Sequence, residues 1–305
     1  MKIKGILYTI ISALIFGFTP ALASITYGFG NNSLSMTFFR NLFVIPFLLL
    51  IIKYKKISLK VEKEELKNIF ITSFLGVAIT TVLLYSSYSY IGIGAATTLH
   101  FMYPIFVALA CKFIFKEKLE KGKVFSLILA FIGVTFFMDL ESGGNFLGAI
   151  MALVSGITYA FYIVWIEKKN LVKINPYKLF LYIASFVSLE LLIGNIFGGY
   201  IKLDLPLKIY GLMIVISLLA SIVGVILFQV GVSIIGSTSA AIFSLFEPIT
   251  SVIAGVILFK EVLTPLKIIG CLVIFVAITY LAMASPKESK TEVASESTIG
   301  PSSIA

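Results

Sequence analysis

Arginine, histidine and tryptophan each occur once in this chain of 305 residues, and cysteine twice. A single histidine, His100, rules out a multi-histidine metal centre. The cysteines, Cys111 and Cys271, both fall inside apolar runs, so neither a disulfide nor a thiolate metal site is expected, and no cofactor of any kind. Charge is scarce too: 13% of residues are Asp, Glu, Lys or Arg while 59% are hydrophobic, where a soluble domain has about a quarter and about a half. The fold class implied is an all-α membrane protein, with the lipid bilayer as its first partner. Nucleotide and hydrolase signatures are missing as well. There is no Gly-x-x-x-x-Gly-Lys-Ser/Thr loop, no His-Glu-x-x-His and no Gly-x-Ser-x-Gly, and no polar stretch that would hold them. ATP-driven transport by this chain alone is therefore not expected, nor is an enzyme of a familiar soluble kind.

Apolar runs of about 20 residues, the length that crosses about 30 Å of hydrocarbon as helix, fall at 5–26, 34–52, 69–90, 95–115, 122–140, 146–166, 177–199, 209–231, 238–259 and 265–284. They predict ten spans, five in residues 1–141 and five in 142–284. The first run, with Lys2 and Lys4 ahead of it and Ala21-Leu22-Ala23 near its end, has the outline of a signal peptide. A partner in the second half argues instead for a retained span: Gly5, Thr9, Ala13 and Gly17 line one face, as do Gly148, Ala152, Gly156 and Ala160. Small faces of this kind let helices approach closely in lipid. Residues 285–305 are rich in Ser, Thr and Glu and read as a disordered cytoplasmic tail.

The halves are copies. Gly236 to Leu263, with Glu247, Pro248, Phe259, Lys260 and Glu261, stands 144 positions after Gly92 to Leu119, with Tyr103, Pro104, Phe115, Lys116 and Glu117. Five spans per copy is an odd number, so the second copy must insert upside down, and the lysines agree. The loop after the first span has none, whereas its counterpart holds Lys168, Lys169, Lys173 and Lys178. After the second span come Lys53, Lys55, Lys56, Lys60, Lys63 and Lys67, against Lys202 and Lys208 in the counterpart. Lysine marks the cytoplasmic side, so two inverted repeats with both termini in the cytoplasm are expected. Lys260 and Lys267 run against the bias, as if Phe-Lys-Glu were kept for packing. Because the net charge of +9 resides in these loops, it sets orientation and implies no nucleic-acid partner.

A charge inside a span costs roughly 3 kcal/mol or more and calls for a partner or a task. Four ionisable residues are so placed: Arg40, His100, Glu190 and Glu247. Arg40 would face an anionic substrate group, pair with Glu190 or Glu247, or snorkel to the surface. Glu190 would form an ion pair or reach the lipid edge. Glu247 precedes Pro248, whose missing N–H would orphan the carbonyl of Ser244, a defect tolerated at that depth where it lines a wet cavity. An acid so sheltered could carry a proton as coupling ion. His100 and Pro104 form the matching arrangement in the first copy, and the two prolines are candidate hinges. Across an axis in the membrane plane, Glu247 would meet Tyr103, Gln229 would meet Tyr85, and Tyr159 would meet Phe16, outlining a pocket of aromatic walls with a few polar heads.

The doubled element running from Pro104 to Glu117 and from Glu247-Pro248 to Glu261 resembles the EamA family of the drug/metabolite transporter superfamily, over about residues 5–284. The resemblance implies a secondary carrier in the cytoplasmic membrane, with a cavity between the halves among the first, third, fourth, sixth, eighth and ninth helices. It also implies a small organic metabolite, an amino acid or related compound, as substrate and export as the direction. Phe16-Gly17 stands where a Trp-Gly pair is common in the family. The alternative from another class is an intramembrane enzyme or lipid-handling protein that uses Glu247, His100 and Arg40 as a polar cluster.

Overall fold

The computed structural model describes residues 2–136, 145–260 and 263–284. Among the described residues every regular element is helical, and nine helices are long and apolar enough to cross a bilayer: α1 (Lys2–Tyr27), α2 (Ser33–Tyr54), α3 (Lys63–Ile91), α4 (Ala95–Ile114), α6 (Phe146–Lys168), α7 (Pro176–Gly198), α8 (Leu207–Ile235), α9 (Ser237–Leu258) and α10 (Pro265–Met283). Between α4 and α6 lies α5 (Lys121–Thr135), whose 15 residues rise about 22 Å, short of the bilayer core. The expected fifth span continues beyond it into residues outside the described set. Glu261, the junction at 141/142 and the tail 285–305 lie outside it as well. The outer surface is apolar: Leu272, Phe275 and Val276 on α10 are each more than half exposed, as a multi-pass membrane protein requires of groups that face lipid rather than water.

Short polar signals set where the helices start. Asn32 accepts a hydrogen bond from Ser35 N (2.8 Å), Asn145 from Leu147 N (3.0 Å) and Asn175 from Tyr177 N (3.1 Å), each satisfying an N–H that a helix start leaves unpaired. Gly236 alone separates α8 from α9, at φ +77°, a conformation glycine adopts without steric cost.

Helix pairing then follows the small faces. On α1, a Cβ at Gly5 would strike Ile234 and Ile235 of α8, and one at Gly17 would strike the Glu247 carbonyl of α9. On α6, a Cβ at Gly148 would strike Tyr90 and Ile91 of α3, and one at Gly156 the His100 carbonyl of α4. Gly148 stands 143 positions after Gly5, and Ile234 and Ile235 stand 144 after Tyr90 and Ile91, so both contacts use equivalent residues. These contacts also fix direction. Thr80 bonds to Thr158 at 2.7 Å, Tyr90 meets Gly148, and His100 is back beside Gly156, so the chain reverses between α3 and α4.

Two backbone irregularities recur in both halves. In α3 the turn over Thr72–Ala78 is widened to i→i+5 bonding, as it is over Ser217–Gly224 in α8; such wide turns gather at functional sites. In α4 the helix is interrupted at Phe101–Met102, and in α9 at Ser244–Leu245. The prolines follow these breaks. Pro104 and Pro248 sit in the first turns of the new segments Tyr103–Leu109 and Phe246–Phe259, where a missing N–H costs nothing. The orphan carbonyl expected at Ser244 is therefore absent, because it accepts from Glu247 N at 2.9 Å.

Contacts between loops sort the helix ends into two sets. At the lysine-rich end, Lys178 Nζ donates to Lys60 O (2.9 Å), Tyr182 donates to Leu59 O (2.7 Å), Lys168 bonds to Glu117, and Glu167 accepts from Ser237 N. At the opposite end Asn32 donates to Tyr200 O and Lys202 N to Ser35 Oγ, both at 2.7 Å. The Phe-Lys-Glu elements end their helices alike, with Lys116 and Lys260 left-handed at φ +55° and +56°.

Candidate functional site

Between the two halves lies a cavity of about 120 Å³. Its walls come from α1, α2, α3, α4, α6, α7, α8 and α9, and both widened turns reach it, through Gly76 and Val77 on one side and Ser221 on the other. Small and hydroxylated residues at the helix contacts let the backbones approach, while the larger rings close the space between them.

Of the residues singled out from sequence, Phe16, Arg40, Tyr85, His100, Tyr159 and Glu247 line this cavity. Arg40 donates from Nε to Ser221 Oγ at 3.0 Å and from Nη1 to Tyr85 Oη at 3.2 Å. Both partners are neutral, and among the described residues no carboxylate lies within ion-pair distance of it. Of the three readings of Arg40, pairing with Glu190 or Glu247 is therefore not the one formed. Glu190 is instead on α7, where it accepts from Ser73 Oγ at 2.6 Å, outside the cavity lining. Glu247 is 7% exposed and its Oε1 has no hydrogen-bond partner among the described residues. Burying an ionised carboxylate without a partner costs several kcal/mol, so the charged form of Glu247 is unfavourable here unless a donor or cation joins it. Tyr88 Oη, in the same wall, is likewise buried without a partner.

His100 is fixed from behind. Its Nδ1 lies 2.9 Å from Ser155 Oγ, and Ser155 gives its own hydrogen to Ala152 O at 2.6 Å. The ring is thereby held against α6 through Ser155. Tyr103 and Gln229 are not in the wall. Tyr103 is fully buried and packs edge-on against Tyr159 at 4.8 Å, while Gln229 donates to Tyr162 Oη at 3.2 Å; both support lining residues from the second layer. Pro104 faces a separate small gap with Leu245 and Phe131, and Pro248 is buried beside Glu247. Glu117 lies at the lysine-rich end, far along α4 from His100.

A sequence model of the EamA-like transporter family matches residues 3–138 and again 146–283. The chain belongs to that family. As an EamA-like protein it is a membrane transporter, and its relatives carry the same description. An uncharacterized transporter of Synechocystis sp. is 27% identical over 324 residues, covering 96% of this chain and 98% of the relative. One of Archaeoglobus fulgidus is 27% identical over 220 residues, covering 69% and 75%. A solved crystal structure shares the fold with a TM-score of 0.74 over 90% of this chain and 97% of the other, at 13% identity.

Several lining residues of this EamA-like cavity were not singled out from sequence. Tyr88 and Tyr162 follow Tyr85 and Tyr159 by three residues, the spacing that keeps side chains on one helix face, and could have been found that way. Pro20, four residues after Phe16 inside α1, was a second signal, since an interior proline breaks the hydrogen-bond ladder. Ser221 and Asn41 carried none.

Proposed function

We propose that the protein is a secondary carrier that exports a small zwitterionic metabolite, an amino acid or a close relative, across the cytoplasmic membrane by alternating access. The observation that carries this reading is the pair of unmatched groups in one cavity. Arg40 presents a positive charge held only by hydroxyls, and Glu247 presents a buried oxygen with no partner. A carboxylate at the first and an ammonium at the second would complete both, with Tyr159, Phe228 and Phe16 around the rest. Glu247 would take up a proton whenever the ammonium leaves, which makes the proton the proposed coupling ion.

Ten spans in two inverted repeats are part of the same reading. The repeated contacts of Gly5 and Gly148 support two copies of one unit. The contact of Glu167 with Ser237, near the end of α8 that Gly5 touches, supports their opposite directions: α6 finishes where α1 begins. Both termini then lie at the lysine-rich end, in the cytoplasm. The two units rock about the cavity, with the breaks before Pro104 and Pro248 as the places where α4 and α9 bend.

The test is counterflow of radiolabelled amino acids in proteoliposomes, preceded by a screen for resistance to toxic metabolite excess in overproducing cells. Glu247→Gln keeps the shape but can neither be charged nor release a proton. Its counterflow is expected to fall at least tenfold and to lose its response to pH; normal activity at every pH tested would remove Glu247 from the mechanism.

A further inference from the structure

At the lysine-rich end, groups from both halves are joined in one chain of contacts. Glu117, just past α4, bonds to Nζ of Lys168, the last residue of α6. The same ammonium lies 3.0 Å from Oε1 of Glu167, whose other oxygen accepts from the first backbone N–H of α9, at Ser237. A carboxylate in that position also meets the positive end of the helix dipole. Cys111 Sγ and Ser237 Oγ, 3.4 Å apart, tie α4 to α9 directly, and the ring of Phe115 lies 5.7 Å from Lys168 Nζ. The Lys168 side chain is only 17% exposed, so salt screens it less than an ordinary surface pair. The helices tied together, α4, α6 and α9, carry His100, Tyr159 and Glu247.

The repeat tells what the other end holds in the corresponding places. Gly5, Phe16 and Gly148, Tyr159 pair with an offset of 143, so the counterparts of Glu167 and Lys168 are Ser24 and Ile25. Ser24 spends its hydroxyl on Ala21 O, at 2.8 Å in its own helix, and Ile25 has no charge. Glu261, the counterpart of Glu117, lies outside the described residues; the place of the bridging cation itself carries a charge at one end and none at the other.

We propose that Lys168, with Glu117 and Glu167, forms a one-sided latch that makes the conformation closed at the lysine-rich end the resting state of the carrier. The proposal rests on the alternating-access reading above. In an inverted repeat the two closed forms are built from equivalent contacts, and any difference in their populations comes from interactions present in one and absent in the other. The latch is such an interaction. Opening toward the lysine-rich end must break it in every cycle, whereas at the other end the position of Lys168 is taken by the uncharged Ile25.

The experiment reads cavity access from each face. Thr81, a lining residue whose hydroxyl bonds only within α3, is replaced by cysteine in a Cys111→Ser, Cys271→Ala background, which keeps the oxygen contact to Ser237. A membrane-impermeant maleimide is applied to oriented vesicles from either side. With Lys168 intact, labelling is expected chiefly from the face opposite Lys168. Lys168→Met is expected to raise the rate from the Lys168 face several-fold and lower the opposite rate, and the exchange Lys168→Glu with Glu117→Lys to restore the original ratio in part. Ser24→Glu with Ile25→Lys, which installs the charges at the other end, is expected to move the ratio as Lys168→Met does. Unchanged rates in Lys168→Met, with an unchanged unfolding temperature, would overturn the latch while leaving the carrier standing. Fast labelling from both faces at once in every variant, as a continuous pore gives, would overturn the carrier reading itself.

Discussion

Arg40 is held by two neutral oxygens, and that choice has kinetic consequences. A guanidinium donates in a fixed planar fork, which an ammonium cannot reproduce. Arg40→Lys keeps the charge and loses the contacts to Ser221 and Tyr85, so KM for the transported solute is expected to rise about tenfold, the order that loss of one or two charge-assisted hydrogen bonds gives, with the turnover number little changed. Tyr85→Phe removes one of the two contacts and is expected to cost about threefold or less by the same measure. Arg40 and Glu247 were legible in the sequence because a charge within an apolar run has few explanations. Their surroundings were not. Ser221 is one hydroxyl among many, and only a widened turn in α8 brings it to Arg40. The absence of an Arg40–Glu247 pair is equally invisible to composition, since it depends on where α2 and α9 stand across the cavity.

For the helices, the small faces of α1 and α6 decide how tightly the halves approach. Gly17→Val would place its Cβ about 2.6 Å from the Glu247 carbonyl, against backbone that cannot yield cheaply. Overpacking of this kind costs about 1–3 kcal/mol, so a lowered unfolding temperature in detergent is expected, along with loss of transport as α9 shifts. Gly194, with no atom within 4 Å of its Cβ position, is the control: Gly194→Ala is expected to leave transport intact and to add up to about 1 kcal/mol through helix propensity. The length of the apolar runs located most spans to within a few residues, and the four-residue spacing of glycine and alanine located the contact faces. The breaks in α4 and α9 were read less well. Proline marked the place, but whether it kinks a helix or starts a new one depends on hydrogen bonds three and four residues back. In α9 the bond from Glu247 N to Ser244 O decides it.

Across the whole molecule, lysine is crowded at one end. The loops holding Lys53, Lys55, Lys56, Lys60 and Lys178 meet there, and Lys202 and Lys208 lie at the other. A reporter that fluoresces only in the cytoplasm, fused after residue 284, is expected to be bright, and one that needs export to be inactive. The opposite pattern would reverse the assignment of the two ends and with it the sense of the latch. Duplication was readable because residues recur in register, and the odd number of expected spans is the ground on which inversion is proposed. Lys260 is the residue that runs against the proposed orientation. Its left-handed backbone matches that of Lys116, which supports the reading that the residue is kept for the helix ending rather than for orientation.

The single residue between α8 and α9 leaves no slack for independent movement. When the first segment of α9, Ser237–Phe243, moves, the end of α8 must travel with it, so a bend that shifts Glu247 relative to Ser221 falls between them, at Ser244–Leu245. Loosening the grip on the ammonium by that bend would leave the support of Arg40 in place, and a solute bound at both ends would be let go one end at a time.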